Sequence, residues 1–262
     1  MTSKTEPRLL CYDLGEGVTA FSTTRHGGVS EANYASFNIN PYCGDSADHV
    51  ARNRQLLADR LGLPASHIVL PHQVHGIEHR AVAPELLDMS DAVRDKILDG
   101  VDMVTTSMTG VCIGVSTADC IPVLLYDPVA RATAAIHAGW RGTLQRICQR
   151  AVMAMQLHYG TTPDRLRAVV GPGISLANFE VGQEVYDQFV QAGFDLTETA
   201  EWHTKWHLDL PGINIRELIG CGVAPEHIHH AGICTFDHAD DYFSARRLGI
   251  DSGRIYTGIL MQ

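Results

Sequence analysis

Cys120 and His137 are the residues whose types and positions most directly suggest chemistry. Cys120 comes just before the apolar run 121–126, and His137 directly follows the next run, 132–136. If these runs are buried strands, a thiol and an imidazole lie at strand ends, as a metal site or a nucleophile requires. A second imidazole would complete a three-ligand zinc set with a fourth position open for water or substrate. Such an ion lowers the pKa of its bound water to about 7 and polarises a nearby leaving group.

The second imidazole could come from the segment 71–76, which contains His72 and His75. The surrounding residues favour an extended chain, in which side chains three apart face opposite ways. We therefore expect the two histidines not to enter the same pocket, and the spacing alone does not say which one points inward. A helix that would pair His75 with His79 is disfavoured by Gly76, and the segment does not carry the HExxH zinc signature.

The same residues could instead form a thiol hydrolase. Cys120 would be the nucleophile, His137 the base and Asp119 the residue that orients the base. Side chains adjacent on a strand diverge, which weakens this arrangement. Asp119 is better explained as capping the turn, or as accepting a hydrogen bond from the ring nitrogen of a ligand histidine that does not bind the metal. The plainest alternative is that Cys120 is a buried strand cysteine and His137 a hydrogen-bonded core histidine.

Several arginines are candidates for binding an anion. Arg25 lies in a glycine-containing turn and could face a phosphate or ribose, or it could be a solvated loop arginine. Arg141 lies where residues 138–142 lead into a helix, and free N–H groups at a helix start attract phosphate. Arg246 and Arg247 could likewise either bind an anion or be solvated surface arginines. A second histidine group, His227, His229 and His230, is expected to be exposed rather than metal-binding.

Composition excludes some classes of function. The formal net charge of −10 argues against broad nucleic-acid binding, which needs a basic stripe, but leaves room for a local basic pocket. The first residues contain no apolar signal-peptide region, and no run reaches transmembrane length, so we expect a cytoplasmic protein without membrane contact. Seven cysteines without framework spacing predict no disulfides.

Strand-like runs alternate with helical patterns along the whole chain. Apolar residues recur at helical spacing from Leu144 to Met155, and a second helix is predicted from Asp48 to Leu61, ended by Gly62. No linker, short repeat, GxGxxG motif or Walker A loop is present. The pattern predicts an α/β (mixed α+β) fold in which residues 1–262 form a single domain of mixed β-sheets flanked by helices. Residues 240–247 are expected to be a loop or short strand.

Seven segments, in order from about residue 18 to the C-terminus, resemble the laccase-domain family, also called polyphenol oxidase-like proteins or multifunctional purine nucleoside phosphorylases. TADCIPV at 117–123 and HAGWRG at 137–142 are the most specific of them. The others are STTRHGGVS at 22–30, CGD at 43–45, QVHG at 73–76, GPGI at 171–174 and FSARR at 243–247.

The resemblance implies a zinc ion held by His75, Cys120 and His137, which selects His75 over His72. It also implies phosphorolysis of adenosine, inosine and 5′-methylthioadenosine to the free base and ribose 1-phosphate, or its methylthio analogue, and deamination of adenosine. Purine nucleosides and phosphate are then the expected partners. The catalytic candidates are the three ligands together with Arg25 and Asp119.

Three other functions compete with this hypothesis: a copper-dependent phenol oxidase, a non-catalytic partner protein and the cysteine hydrolase. A multicopper oxidase needs several His-x-His pairs and a blue-copper cysteine site. The chain has one such pair, His227 and His229, so copper is less favoured than Zn²⁺ despite one of the family's names.

Overall fold

The computed structural model describes residues 6–262, whose strands form a five-stranded, a six-stranded and a three-stranded sheet. In chain order the strands are β1 Leu9–Tyr12, β2 Val18–Thr23, β3 Ile68–Val69, β4 Glu78–Ala81, β5 Val101–Thr106, β6 Cys112–Thr117, β7 Ile121–Asp127, β8 Ala132–Ala138, β9 Arg167–Val170, β10 Glu180–Val181, β11 Ala200–Trp202, β12 Trp206–Leu208, β13 Ile228–His230 and β14 Ile255–Met261.

Parallel and antiparallel pairs occur together in the two larger sheets. The five-stranded sheet has the order β1-β2-β14-β6-β3, and the six-stranded sheet has the order β13-β9-β7-β8-β5-β4. The edge pairs β3/β6, β4/β5 and β13/β9 are parallel, and the other pairs in these two sheets are antiparallel. The small sheet, β10-β12-β11, is antiparallel.

Helices cover the outer faces of both larger sheets. The helices in the described part of the chain are α1 Ala47–Leu61, α2 Pro84–Asp88, α3 Asp91–Leu98, α4 Trp140–Leu144, α5 Ile147–Tyr159, α6 Gln183–Gln191, α7 Leu210–Gly220 and α8 Ala245–Leu248, of which α1 covers the five-stranded sheet and α5 and α7 cover the six-stranded one. Helix α1 ends as predicted, because Gly62 adopts a left-handed conformation with a φ of 69° that favours glycine. The predicted fold class, a single α/β domain with mixed sheets and flanking helices, is confirmed.

The long apolar runs are explained by burial on both faces of the six-stranded sheet. On one face, Val123 and Leu125 of β7 pack with residues of α5 and α7. On the other face, Leu124 packs with Ile113 of β6 and Ile259 of β14, so the two larger sheets lie face to face. Successive strand residues point to opposite faces, and a strand buried on both therefore has no polar alternation.

Two predicted elements differ from the structure. The helix predicted through Leu144 to Met155 is broken in two, because Arg146 between α4 and α5 has a φ of 61°, which no α-helical residue adopts. The segment 240–247 was expected to be a loop or short strand; residues 240–244 are a loop, but residues 245–247 belong to the short helix α8, in which the Ser244 hydroxyl accepts from the Arg247 N–H. All seven cysteines are free, as predicted.

Candidate metal centre

Cys120 and His137 are brought together by the β7–β8 hairpin. The antiparallel register pairs Ile121 with Ala138 and Pro122 with His137, so the end of β8 lies beside the start of β7. Cys120 directly precedes β7 and belongs to the link that carries the chain from the five-stranded sheet into the six-stranded one. The prediction that these residues lie at neighbouring strand ends is therefore confirmed.

His75 lies in the loop between β3 and β4. Its φ of 63° turns the chain, so the segment is not the extended one that we predicted. Gln73 anchors the loop to β6, because its amide donates to the Ser116 carbonyl over 2.9 Å and accepts from the Ser116 N–H over 2.8 Å. Such contacts with a strand distant in sequence cannot be deduced from the local pattern.

The three side chains place one donor atom each within 4.8 Å of one another. His75 is exposed, Cys120 half-buried and His137 buried. The two imidazole rings meet edge-on at a centroid distance of 4.8 Å. Gly139 leaves room for them, because a Cβ atom there would lie 3.1 Å from both the Cys120 sulfur and the His75 ring. Two nitrogens and one sulfur at this spacing suit tetrahedral zinc with one position open.

Asp102 is a site residue that the sequence analysis missed. Its side chain lies on β5, fully buried, and Oδ1 is 2.7 Å from His137 Nδ1. The same carboxylate accepts from the backbone N–H groups of Val74, His75 and Gly76. Burial alone would raise the pKa of Asp102, but the bonds from His137 and from the backbone lower it below its ordinary value. The sequence signal that could have found Asp102 is an aspartate inside the apolar run of a buried strand, since such a charge requires partners.

Cys120 and His137 perturb each other's protonation. Burial would raise the pKa of the Cys120 thiol, but His137 and His75 lower it to about 6. Burial would lower the pKa of His137, but Cys120 and Asp102 raise it to about 9. Each group therefore favours the charged form of the other, a thiolate beside an imidazolium, and the thiolate is the form that binds metal or attacks an electrophile.

A cavity of about 170 Å³ adjoins these three residues. It is lined by Asn40, Tyr42, Cys43, His72, Gln73, His75, Ser116, Thr117, Ala118, Cys120, His137, Ala245, Ile250 and Arg254. The expectation that His72 and His75 would not share a pocket is wrong, because the loop between them turns. His72 is held separately, with Nδ1 2.6 Å from Asp99 and its ring 4.3 Å from that of Tyr42.

Of the two roles considered for Asp119, capping the turn or bonding a ligand histidine, the contacts fit the first. Its carboxylate accepts from the Thr235 hydroxyl and from the backbone N–H of Arg246, each over 2.7 Å. It therefore ties the Cys120 link to the start of α8, which fits the predicted turn-capping role and excludes it as the orienter of His137. Asp102 occupies that position instead.

Arg25 has the contacts of a structural residue. Its guanidinium donates to the carbonyls of Ala35 and Ala239 and lies over the Phe243 ring. Among the cavity-lining residues in the described range, the one arginine is Arg254, not Arg25. The contacts therefore do not support the predicted catalytic role of Arg25.

The remaining sequence candidates lie outside the cavity lining. Arg141 stacks on the ring of Trp140, while Arg246 and Arg247 donate to the carbonyls of Glu180 and Phe236. Across residues 6–262, the one group of three potential metal ligands is His75, Cys120 and His137, so the histidines at 227–230 form no second centre.

Comparison with known proteins identifies the family. Residues 19–262 match the family described as "Multi-copper polyphenol oxidoreductase laccase". The chain belongs to this family. It is 44% identical over 247 residues to a purine nucleoside phosphorylase of Bacteroides thetaiotaomicron, covering 93% of this chain and 92% of the relative. It is 40% identical over 248 residues to adenosine deaminase RL5 of an unknown prokaryotic organism, covering 93% and 94%.

Solved structures similar to the chain share its fold. YlmD from Geobacillus stearothermophilus superposes with a TM-score of 0.87 at 30% identity, covering 96% of this chain and 94% of YlmD. A hypothetical protein YfiH from Bacillus licheniformis gives a TM-score of 0.90 at 28% identity, with 98% and 97% covered. Among the helices of residues 6–262, none combines the length and the apolar character needed to cross a bilayer.

Proposed function

We propose that this chain is a zinc-dependent purine nucleoside phosphorylase that also deaminates adenosine. Its substrates are adenosine, inosine and 5′-methylthioadenosine, and phosphorolysis yields the free base with ribose 1-phosphate or its methylthio analogue. The observation that carries the proposal is the convergence of His75, Cys120 and His137 beside a cavity. Relatives 40–44% identical to the chain are named as phosphorylase and deaminase, which supports an enzyme that processes nucleosides.

The surroundings of the three donors favour zinc over copper. A blue-copper site adds a weak axial methionine or glutamine to two histidines and a cysteine. Of the described residues that line the cavity, none is a methionine, and Gln73 uses its amide to bond the Ser116 backbone. A three-ligand set with one side open to a cavity is the pattern of catalytic zinc.

A bound zinc ion would act as a Lewis acid, polarising a substrate atom or lowering the pKa of water in its open position. The protein residues around it would bind and orient the nucleoside. Thr117 has a buried hydroxyl without a hydrogen-bond partner, and it lines the cavity, so it is free to bond a ribose hydroxyl or a base nitrogen. The paired rings of Tyr42 and His72 supply an aromatic wall suited to a purine.

Phosphate is placed next to Arg254 in this proposal. Arg254 is the one arginine or lysine among the described lining residues. Its guanidinium is held by the carbonyls of Ile250, Ser252 and Gly253, so its charge is fixed in place. In phosphorolysis a phosphate oxygen bonds to C1′ while the C1′–N9 bond breaks and its electrons move into the purine. A fixed cation aligns and neutralises the attacking anion.

The experiment is product analysis with a panel of nucleosides, with and without phosphate, on protein of measured metal content. We expect about one zinc ion per chain, adenine from adenosine only when phosphate is present, and inosine without it. His75→Ala and Cys120→Ala should lose zinc and both activities, whereas Cys11→Ala, at an exposed cysteine outside the site, should keep them. A zinc-loaded protein that turns over none of these nucleosides would contradict the proposal.

A cysteine hydrolase is the second candidate. It is favoured by the contacts that link Cys120 to His137 and His137 to Asp102. The imidazole lies between a thiol of lowered pKa and a buried carboxylate, as in a nucleophile–base–orienter set. This reaction would need no metal. It is indicated if activity survives a chelator and His75→Ala but is abolished by thiol alkylation.

A further inference from the structure

We propose that Asp102 is the positioning residue for two of the three donors, His75 and His137, and that it thereby sets the zinc affinity of the centre. The inference rests on the ligand set proposed above, but not on the nucleoside reactions. Its basis is one fully buried carboxylate that contacts both the ring of one histidine and the backbone that carries the other.

The contact with His137 fixes which ring nitrogen faces the ion. Asp102 Oδ1 lies 2.7 Å from His137 Nδ1. An ionised carboxylate can only accept hydrogen bonds, so Nδ1 must carry the proton. The lone pair of the neutral imidazole is then on Nε2, the nitrogen that can bind a metal. A carboxylate behind a ligand histidine also raises its basicity and hence its affinity for the ion.

The contacts with the loop fix where the His75 ring stands. Asp102 accepts from three consecutive N–H groups, those of Val74, His75 and Gly76, at 3.2, 3.0 and 2.7 Å. They hold His75 at its φ of 63°, a conformation that a non-glycine residue rarely adopts without support. Because His75 is itself exposed, these backbone bonds do more to fix its position than side-chain packing does.

A neighbouring aspartate–histidine pair, Asp99 and His72, offers a matched control. Asp99 lies 2.6 Å from Nδ1 of His72, the same kind of contact, but this pair is largely exposed and His72 is outside the donor set. Asp99→Asn therefore removes an Asp–His contact without touching a ligand. Asp102→Asn keeps the size of the side chain and changes only its hydrogen-bonding character.

Asparagine at 102 cannot satisfy all the groups that aspartate satisfies. If its amide nitrogen replaces Oδ2, it meets the N–H groups of Val74 and Gly76, and the backbone on either side of His75 is released. If its amide nitrogen replaces Oδ1, it meets the N–H of His75 and donates to Nδ1 of His137, which moves the ring proton to Nε2 and removes the metal donor. Either arrangement disturbs one ligand, so the loss of zinc affinity should exceed that from a peripheral contact.

The experiment measures zinc affinity by competition with a chromophoric chelator, and ligand geometry by the visible spectrum of the cobalt-substituted protein. We expect Asp102→Asn to weaken zinc binding by about 10- to 100-fold and to change the cobalt bands, with Asp99→Asn near wild type. Cys120→Ala tests the ligand set itself. If Cys120→Ala abolishes zinc binding while Asp102→Asn leaves affinity and spectrum unchanged, Asp102 is not a positioning residue.

Zinc binding that survives Cys120→Ala would instead overturn the ligand set, and with it the proposed zinc enzyme. Should Asp102→Asn fail to fold, the wild-type protein provides a second measurement. In ¹⁵N-histidine-labelled, zinc-loaded protein, the proposal requires His137 to carry its proton on Nδ1. A proton on Nε2 would refute it without any substitution.

Discussion

Cys120 owes its acidity to two neighbouring imidazoles rather than to exposure. Burial opposes the charged form of a thiol, as at Cys112, where burial raises the pKa to about 12. At Cys120 the same opposition is overcome by His137 and His75, and the pKa falls to about 6. Cys112 lies on β6 and has no imidazole among the causes of its shift, whereas Cys120 lies in the link after β6 beside two of them, which accounts for the opposite directions of the two shifts.

The alkylation rate of metal-free protein should report this difference. A thiol of pKa about 6 is roughly 90% ionised at pH 7, whereas an ordinary thiol is a few per cent ionised. The rate at Cys120 should therefore rise as pH passes about 6 and level off by about pH 8, while Cys112 stays unmodified. Peptide mapping by mass spectrometry after iodoacetamide treatment measures both sites.

The substitution His137→Gln serves as the control for that profile, because it removes the largest lowering influence on Cys120. In this variant the midpoint of the pH dependence of Cys120 alkylation should move upward by more than one pH unit. In the wild-type protein, added zinc should protect the Cys120 thiol from alkylation. A wild-type midpoint above pH 8 would show that the imidazoles do not ionise Cys120.

At the scale of elements, strands β7 and β8 support the centre because both of their faces are buried. Leu125 points into the helix-covered side and Leu124 into the space between the two larger sheets. The hairpin is thus fixed on two sides, and the strand ends that carry Cys120 and His137 are fixed with it. Removal of side-chain volume from this hairpin should destabilise the whole fold.

Leu125→Ala tests the support that this packing gives. Leu125 is fully buried, so the change should lower the free energy of unfolding by about 2–5 kcal/mol. Leu157→Ala is the control, because Leu157 on α5 is 82% exposed and should change stability by less than about 0.5 kcal/mol. Urea unfolding followed by circular dichroism measures both, and equal effects would contradict the two-sided packing.

The elements that could be predicted from the sequence are those fixed by local pattern. The apolar runs of β7 and β8 and the helix α1 with its terminal Gly62 follow from periodicity and turn chemistry. The predictions of an extended segment at His75 and of a continuous helix through Arg146 were wrong, because both are non-glycine residues with a positive φ. Each depends on distant partners: Asp102 holds the loop of His75, and Glu217 and Ala192 bond the side chain of Arg146. No local pattern encodes those partners.

At the scale of the whole molecule, the centre forms where the chain passes from one sheet to the other. Thr117 ends β6 of the five-stranded sheet, and Cys120 precedes β7 of the six-stranded sheet. Arg254 reaches the same cavity from just before β14. Motif resemblance identified the three donors, but Asp102 and Arg254 belong to no quoted motif. Their place in the centre follows only from how the sheets meet.

In the proposed phosphorolysis, the charge distribution of the chain gives Arg254 particular weight for binding phosphate. The chain carries a formal net charge of −10, so its long-range field does not attract phosphate. Binding must then depend on a cation inside the cavity, where screening by salt is weaker. Since deamination consumes water rather than phosphate, the two proposed reactions should differ in their dependence on that cation.

Arg254→Gln should therefore separate the two activities. We expect the KM for phosphate to rise about tenfold or more, a loss of roughly 1.4 kcal/mol, while adenosine deamination keeps most of its rate. Arg254→Lys keeps the charge but loses the planar fork that bonds three carbonyls, so it should be intermediate. Arg60→Gln, at a half-exposed arginine near Glu6, is the neutral control. Equal loss of both activities would indicate that Arg254 only stabilises the loop at residues 250–253. A distorted cavity wall would impair phosphorolysis and deamination alike, whereas loss of a phosphate ligand would impair phosphorolysis alone.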